Sequence, residues 1–120
     1  MMKLSKKDLP DEAASLREIQ RYVAKLVADR NLNTANDAKM CFIQLAEEVG
    51  ELARALRERE GGKFDAATQH ANLNNEFADV LILLLGLANI MEIDIYDALI
   101  AKEKINLSRN WNIVKDKEEN

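Results

Sequence analysis

The stretch Leu45-Ala46-Glu47-Glu48-Val49-Gly50-Glu51-Leu52-Ala53-Arg54-Ala55-Leu56 decides the fold. It is apolar enough for a packed helix, yet it carries three carboxylates. At about 100° of turn per residue, Glu48 and Glu51 lie three apart and share a face. Glu76 and Asp79 repeat that spacing at the start of a second apolar run, E-F-A-D-V-L-I-L-L-L-G-L-A. Asp79 is the only charged residue between Phe77 and Met91. One E-x-x-E pair in a chain with 21 acidic residues is what chance supplies. The second pair changes the reading, because four carboxylates gathered near buried faces repel unless cations neutralise them. Two helices offering such pairs to one centre would bind hard divalent cations.

Working outward, the periodicity predicts four helices. Leu9-Pro10-Asp11 is expected to open the first, with Leu16, Ile19, Val23, Leu26 and Val27 inward and Glu18, Arg21 and Lys25 outward. Thr34 and Asp37 suggest a capping box for a second helix from about Ala35 to Glu60, stopped by Gly61-Gly62. Lys63 to Ala71 reads as a connecting loop holding His70. Asn72, Asn74 and Asn75 are candidate caps for a third helix ending near Glu92. Asp94 and Asp97 bracket the cap of a fourth, which is expected to run to about Arg109 before a fraying polar tail. Four helices with short connections make an all-α, four-helix bundle-like domain over residues 1–120. Leu81 to Leu85 and Leu87 make the third helix apolar nearly all round. That is more than one small domain covers, so a homodimer or homotetramer is expected to complete the core.

Composition agrees. The chain has one proline, 5% aromatics and 48% hydrophobic residues, which favours helix. A formal charge of −4 and a pI near 5.1 argue against a nucleic-acid surface. The single Cys41, within M-C-F-I, reads as a packed core thiol. Phe42 reads as core, while Phe64 and Trp111 could stack on a base. No secretory segment opens the sequence, and Phe77 to Met91 falls short of the roughly 20 residues a membrane helix needs. A cytoplasmic protein is expected.

At this point the sequence resembles the all-α nucleoside triphosphate pyrophosphohydrolases, the MazG-like proteins with their relatives the dCTP pyrophosphatases and dimeric dUTPases. The shared signature is E-x-x-E, a spacer, then E-x-x-D. Here it is Glu48-Val-Gly-Glu51, 24 intervening residues, and Glu76-Phe-Ala-Asp79. The flanks L-A-E-E-V-G-E-L-A-R-A-L and K-E-K-I-N-L-S-R-N-W also match, and the likeness runs from about Leu16 to Trp111. It implies that Glu48, Glu51, Glu76 and Asp79 hold Mg2+, with Mn2+ as a substitute. The implied reaction splits a nucleoside triphosphate into the monophosphate and pyrophosphate, and the family suggests a house-cleaning role on non-canonical nucleotides. Glu48 or its neighbour Glu47 would take the proton from water.

Lys102, Asn106 and Arg109, at i, i+4 and i+7, form one row of the fourth helix and would grip phosphate oxygens. Read without function, the row is a basic rim favoured by the helix dipole. Lys39 stands where some relatives place a basic residue and is a further phosphate candidate. The dCTP pyrophosphatases carry tryptophan and histidine in the segment matching Leu32 to Asn36. Leu32 and Asn36 stand there in this chain, which argues against carrying over cytosine preference. Two other readings compete. A di-iron or di-manganese bundle needs Glu-x-x-His pairs, and His70 follows no glutamate at that spacing. The other is a non-catalytic nucleotide- or protein-binding bundle.

Overall fold

The computed structural model describes residues 3–30, 37–61 and 66–119, with side chains in these except 66–72 and 110–119. A 3-10 turn at Lys6–Asp8 precedes α1 (Leu16–Asp29), α2 (Ala38–Gly61), α3 (Ala66–Ile90) and α4 (Ile95–Glu119). Among the described residues there is no strand, so the all-α reading holds.

The helix ends follow local chemistry more closely than the sequence reading did. The first helix begins at Leu16, not near Pro10. Ser15-x-x-Glu18 is a true capping box: Ser15 Oγ accepts the Glu18 N–H at 3.1 Å and Glu18 Oε1 accepts the Ser15 N–H at 3.3 Å. Asp11 instead closes a turn by accepting from the Ala13 N–H. Asp37 caps α2, its carboxylate accepting the Met40 N–H at 3.0 Å; Thr34 lies outside the described residues. The expected loop before Ala71 is helical from Ala66, since A-A-T-Q-H-A contains no breaker. Asn74 and Asn75 are therefore interior, not caps. For the same reason α4 continues past Arg109 to Glu119, with neither glycine nor proline to stop it.

The α3–α4 corner is a Schellman turn. The Ile93 N–H donates to the Ala88 carbonyl at 2.9 Å and the Glu92 N–H to the Asn89 carbonyl at 3.2 Å. Glu92 takes the left-handed conformation with φ 56°, where a side chain is strained and glycine is not. Glu92→Gly is expected to stabilise the fold by about 0.5–1 kcal/mol, less whatever the freer unfolded chain takes back. Urea titration measures it, and a lower midpoint would contradict the strain.

The core forms where α1 meets α3. Val23, Leu26 and Leu85 are buried, with Leu16, Ile19, Tyr22, Val27, Ile82 and Ile95 packed around them. The third helix is central, lying against α2 along its length and against α1 over its C-terminal half. Among the described residues, α4 packs on α1 and makes no comparable contact with α2 or α3. The radius of gyration, 18.4 Å, exceeds the roughly 14 Å of a compact chain this long. Leu73–Ile90 is long and apolar enough to cross a membrane by length and composition, more than the shorter run counted from Phe77. Glu76 and Asp79 lie within it.

Phe42 is not in the core. It is 58% exposed, as are many large apolar residues of α2, α3 and α4 to similar degrees. Gln20 is the converse, a buried polar side chain that the inward row of α1 did not reveal. Its Nε2 donates to Asn89 Oδ1 and to the Ile93 carbonyl, and its Oε1 accepts the Ile95 N–H. Asn89 Nδ2 answers by donating to the Gln20 carbonyl. Every polar atom of the pair is thereby satisfied, as burial demands.

Candidate metal centre

The centre is built by the antiparallel hairpin of α2 and α3. Cys41, Leu45, Glu48, Leu52 and Ala55 repeat at spacings of four and three, so they form the stripe of α2 that meets α3. Leu73, Glu76, Val80, Leu83 and Leu87 form the answering stripe. Cys41 Sγ lies 3.6 Å from the Leu83 carbonyl, and Glu48 meets Glu76, which fixes the register. Cys41 is the buried thiol expected, and burial raises its pKa.

Residues one position before each stripe turn to one side of the hairpin; those one position after turn to the other. Because the helices are antiparallel, the same offset reaches the same side in both. Glu47, Glu51 and Asp79 share the first side, so the acids open there. The second side carries Phe42, Ala46, Val49, Ala53 and Leu56 from α2 with Phe77, Leu81 and Leu84 from α3, all exposed.

Carboxylate oxygens of Glu48, Glu76 and Asp79 lie within 4.8 Å of one another. Glu48 and Glu76 are half-buried and Asp79 is exposed. Burial, hydrogen bonding with Glu76, and the charges of Asp79, Glu76 and Glu51 together raise the pKa of Glu48. Glu76 Oε2 is buried and accepts no hydrogen bond. A buried, unsatisfied carboxylate oxygen beside two other acids is the chemistry a hard cation satisfies. The residues present fit such an ion.

The structure brings together three of the four acids read from the sequence. Glu51 is exposed, and its Oε2 lies 4.0 Å from Arg54 Nη1. Arg54 is anchored in turn by Glu58, Nε to Oε1 at 3.0 Å. Glu51 still acts on the centre through its charge, which contributes to the shift of Glu48. Glu47 is exposed beside Glu48, and Lys39 is exposed in the first turn of α2. Lys102 and Arg109 are exposed on α4, and Asn106 is half-buried with Nδ2 3.5 Å from Glu103 Oε2. Among the described residues the helix that carries this row packs on α1, not on the hairpin that holds the acids. Phe64 and the Leu32 to Asn36 segment lie outside the described residues, as does the side chain of Trp111.

The raised pKa has a consequence for stability. A group whose folded pKa exceeds its ordinary value, about 4.3 for glutamate, stabilises the fold below that value. The contribution is lost as pH rises through the folded pKa. Asp94 runs the other way: hydrogen bonds from the Asp97 N–H and Arg17 hold its carboxyl below the usual range. Its contribution is present above about 3.9 and lost as pH falls further. The metal-free protein is therefore expected to lose stability relative to Glu48→Gln as pH rises above about 4.3, and saturating magnesium should remove the difference. Thermal melts across that range decide it, and parallel curves would dismiss the clustered charge.

A model of the MazG nucleotide pyrophosphohydrolase domain matches residues 38–109, a segment that contains all four acids and the α4 row. Human dCTP pyrophosphatase 1 is 30% identical over 99 residues, covering 79% of this chain and 58% of its own length. The dATP/dGTP diphosphohydrolase of cyanophage S-2L is 33% identical over 98 residues, covering 82% of this chain and 79% of its own. The uncharacterized protein YpjD of Bacillus subtilis (strain 168) is 33% identical over 85 residues, or 70% and 76%. The chain thus spans less than two thirds of the mammalian enzyme it matches.

Proposed function

The chain belongs to the MazG nucleotide pyrophosphohydrolase family, and from that premise we propose that it hydrolyses nucleoside or deoxynucleoside triphosphates to the monophosphate and pyrophosphate. The observation that carries this reading is the convergence of Glu48, Glu76 and Asp79 within the family-matched hairpin. Glu48, Glu76 and Asp79 would hold magnesium or manganese, with Glu51 joining once it leaves Arg54. The bound ion would supply charge neutralisation at the phosphates and a more acidic water. Glu48 or Glu47 takes the proton from the attacking water, and the bond that breaks releases pyrophosphate. The named relatives act on pyrimidine and purine deoxynucleotides respectively, so their names do not choose a base for this chain. A panel of standard and modified nucleoside triphosphates with magnesium, scored for pyrophosphate against orthophosphate, tests the proposal. No turnover with any member would leave a binding bundle.

We further propose that the working form is a homodimer or homotetramer. Phe42, Ala46, Val49, Ala53 and Leu56 form an uncharged heptad stripe on the face of the hairpin away from the acids. Phe77, Leu81 and Leu84 continue it on α3, and Met91 follows just past the end of that helix. Alternating large and alanine positions at spacings of four and three are what one helix presents to another. Of these, Phe42 is 58% exposed, Phe77 56% and Met91 55%, a patch far beyond scattered surface residues. Leu99, Ile105 and Leu107 on α4 are equally uncovered. With α4 held away from its own hairpin, Lys102, Asn106 and Arg109 would serve the acids of another copy. Leu81→Lys, on the face away from the acids, is expected to convert the assembly toward 13.6 kDa chains while metal binding persists. Light scattering at micromolar concentration decides it; a stable, active 13.6 kDa wild type would end this part of the proposal.

A further inference from the structure

Two residues of α1, one turn apart, hold the base of α4. Gln20 binds the backbone on both sides of the corner, at the Ile93 carbonyl and the Ile95 N–H. Arg17 binds the first turn of the helix itself. Its Nε donates to Asp94 Oδ2 at 2.8 Å, and its Nη2 donates to Asp97 Oδ1. The guanidinium also lies over the Tyr96 ring, 4.9 Å from its centroid. Asp94 is at the same time the cap of α4, its Oδ1 accepting the Asp97 N–H at 2.9 Å. One planar cation therefore touches three side chains within the first residues of α4. Beyond this base, α4 makes no comparable contact with a second helix among the described residues.

Leverage gives these contacts meaning. Arg109 is fourteen residues beyond Ile95, about 21 Å along the axis at 1.5 Å per residue. A swing of roughly 15° at the base displaces that end by about 5 Å, far more than charge-assisted phosphate contacts tolerate. We infer that Arg17 is a positioning residue: it sets the angle at which α4 leaves the corner, and thereby where Lys102, Asn106 and Arg109 are delivered. The kinetic consequence rests on the reading that this row serves a nucleotide site. The structural consequence does not.

The test separates the two. Spin labels at Lys25→Cys on α1 and Ser108→Cys on α4, in a Cys41→Ala background, report the angle as a distance distribution. Labelled chains are diluted into excess unlabelled ones so that only distances within a chain are read. One narrow distribution is expected with Arg17 present, and one at least about twofold wider in Arg17→Gln. In unlabelled protein, Arg17→Gln should raise KM for nucleotide by about 5- to 20-fold, with kcat within about twofold and magnesium affinity unchanged. Arg21→Gln, one turn further along α1, should change none of these. If Arg17→Gln does not fold, Asp97→Asn takes its place, removing one carboxylate partner and keeping the Asp94 cap. An unchanged distribution overturns the inference whatever the kinetics show. A widened distribution with unchanged KM upholds the positioning and removes the phosphate-binding reading of α4.

Discussion

Asp79→Asn is expected to abolish turnover while raising the melting temperature of the metal-free protein. The two effects have one cause. Glu48, Glu76 and Asp79 hold their oxygens within 4.8 Å of one another, and the negative charge of Asp79 helps to raise the pKa of Glu48. Removing that charge relieves repulsion in the empty centre. The gain is below about 1 kcal/mol, because Asp79 is exposed and water screens the interaction. With metal the order reverses. A ligand present at a hundred times its Kd stabilises the folded state by about 2.7 kcal/mol, and the variant should lose most of that. Turnover should fall by at least about 100-fold, since a bound cation contributes several kcal/mol to phosphoryl chemistry. Melts with and without magnesium, beside a pyrophosphate-release assay, decide it. A variant that turns over near the wild-type rate would end the metal-site reading.

Much of this centre was legible because its cause is local. The E-x-x-E and E-x-x-D spacings put each pair within a turn, and a lone acid in the run from Phe77 to Met91 had to point at something other than apolar neighbours. The inward row of α1 was legible for the same reason, and Val23 and Leu26 are buried where the period placed them. What escaped was set by partners far along the chain. Arg17 meets Asp94 across 77 positions and Asp97 across 80, distances at which no periodicity speaks. Gln20 did leave a trace, an amide standing beside Ile19 and Val23, but its three partners belong to the α3–α4 corner. Arg54 reads as an ordinary surface arginine, and its approach to Glu51 and its bond to Glu58 become visible only in the structure. Phe42 was misread because the period shows an apolar stripe without showing which stripe is covered. α2 has two, one against α3 and one facing outward, and sequence alone ranks them equally. Helix ends failed where a nearer cap or the absence of any breaker outweighed the more conspicuous residue, Ser15 over Pro10 and Ala66 over the asparagines.

The α4 row is where sequence and structure bear on different halves of one question. Spacing puts Lys102, Asn106 and Arg109 on one face, and among the described residues α4 packs on α1 instead of on the acid-bearing hairpin. If Lys102 and Arg109 grip a triphosphate, their charge acts on substrate and on the charge that shifts during reaction, not on the carboxylates that hold metal. Lys102→Ala and Arg109→Ala should each lower kcat/KM by roughly 10- to 100-fold, about 1.4 to 2.7 kcal/mol for a lost charge-assisted contact. Magnesium binding without nucleotide should be nearly unchanged in both. Arg109→Lys should also be impaired, because an ammonium cannot reproduce the two-pronged grip of a guanidinium. A solvated rim predicts losses below about twofold in all three, since exposed charges contribute little. Delivery between copies adds a further check. Mixing Asp79→Asn chains with Arg109→Ala chains leaves some sites with intact acids from one chain and an intact row from the other, so the mixture should show activity above that of either parent. Steady-state kinetics on the variants and on the mixture separate these cases. Wild-type rates in both alanine variants would leave α4 as scaffold and return the search for phosphate ligands to Lys39.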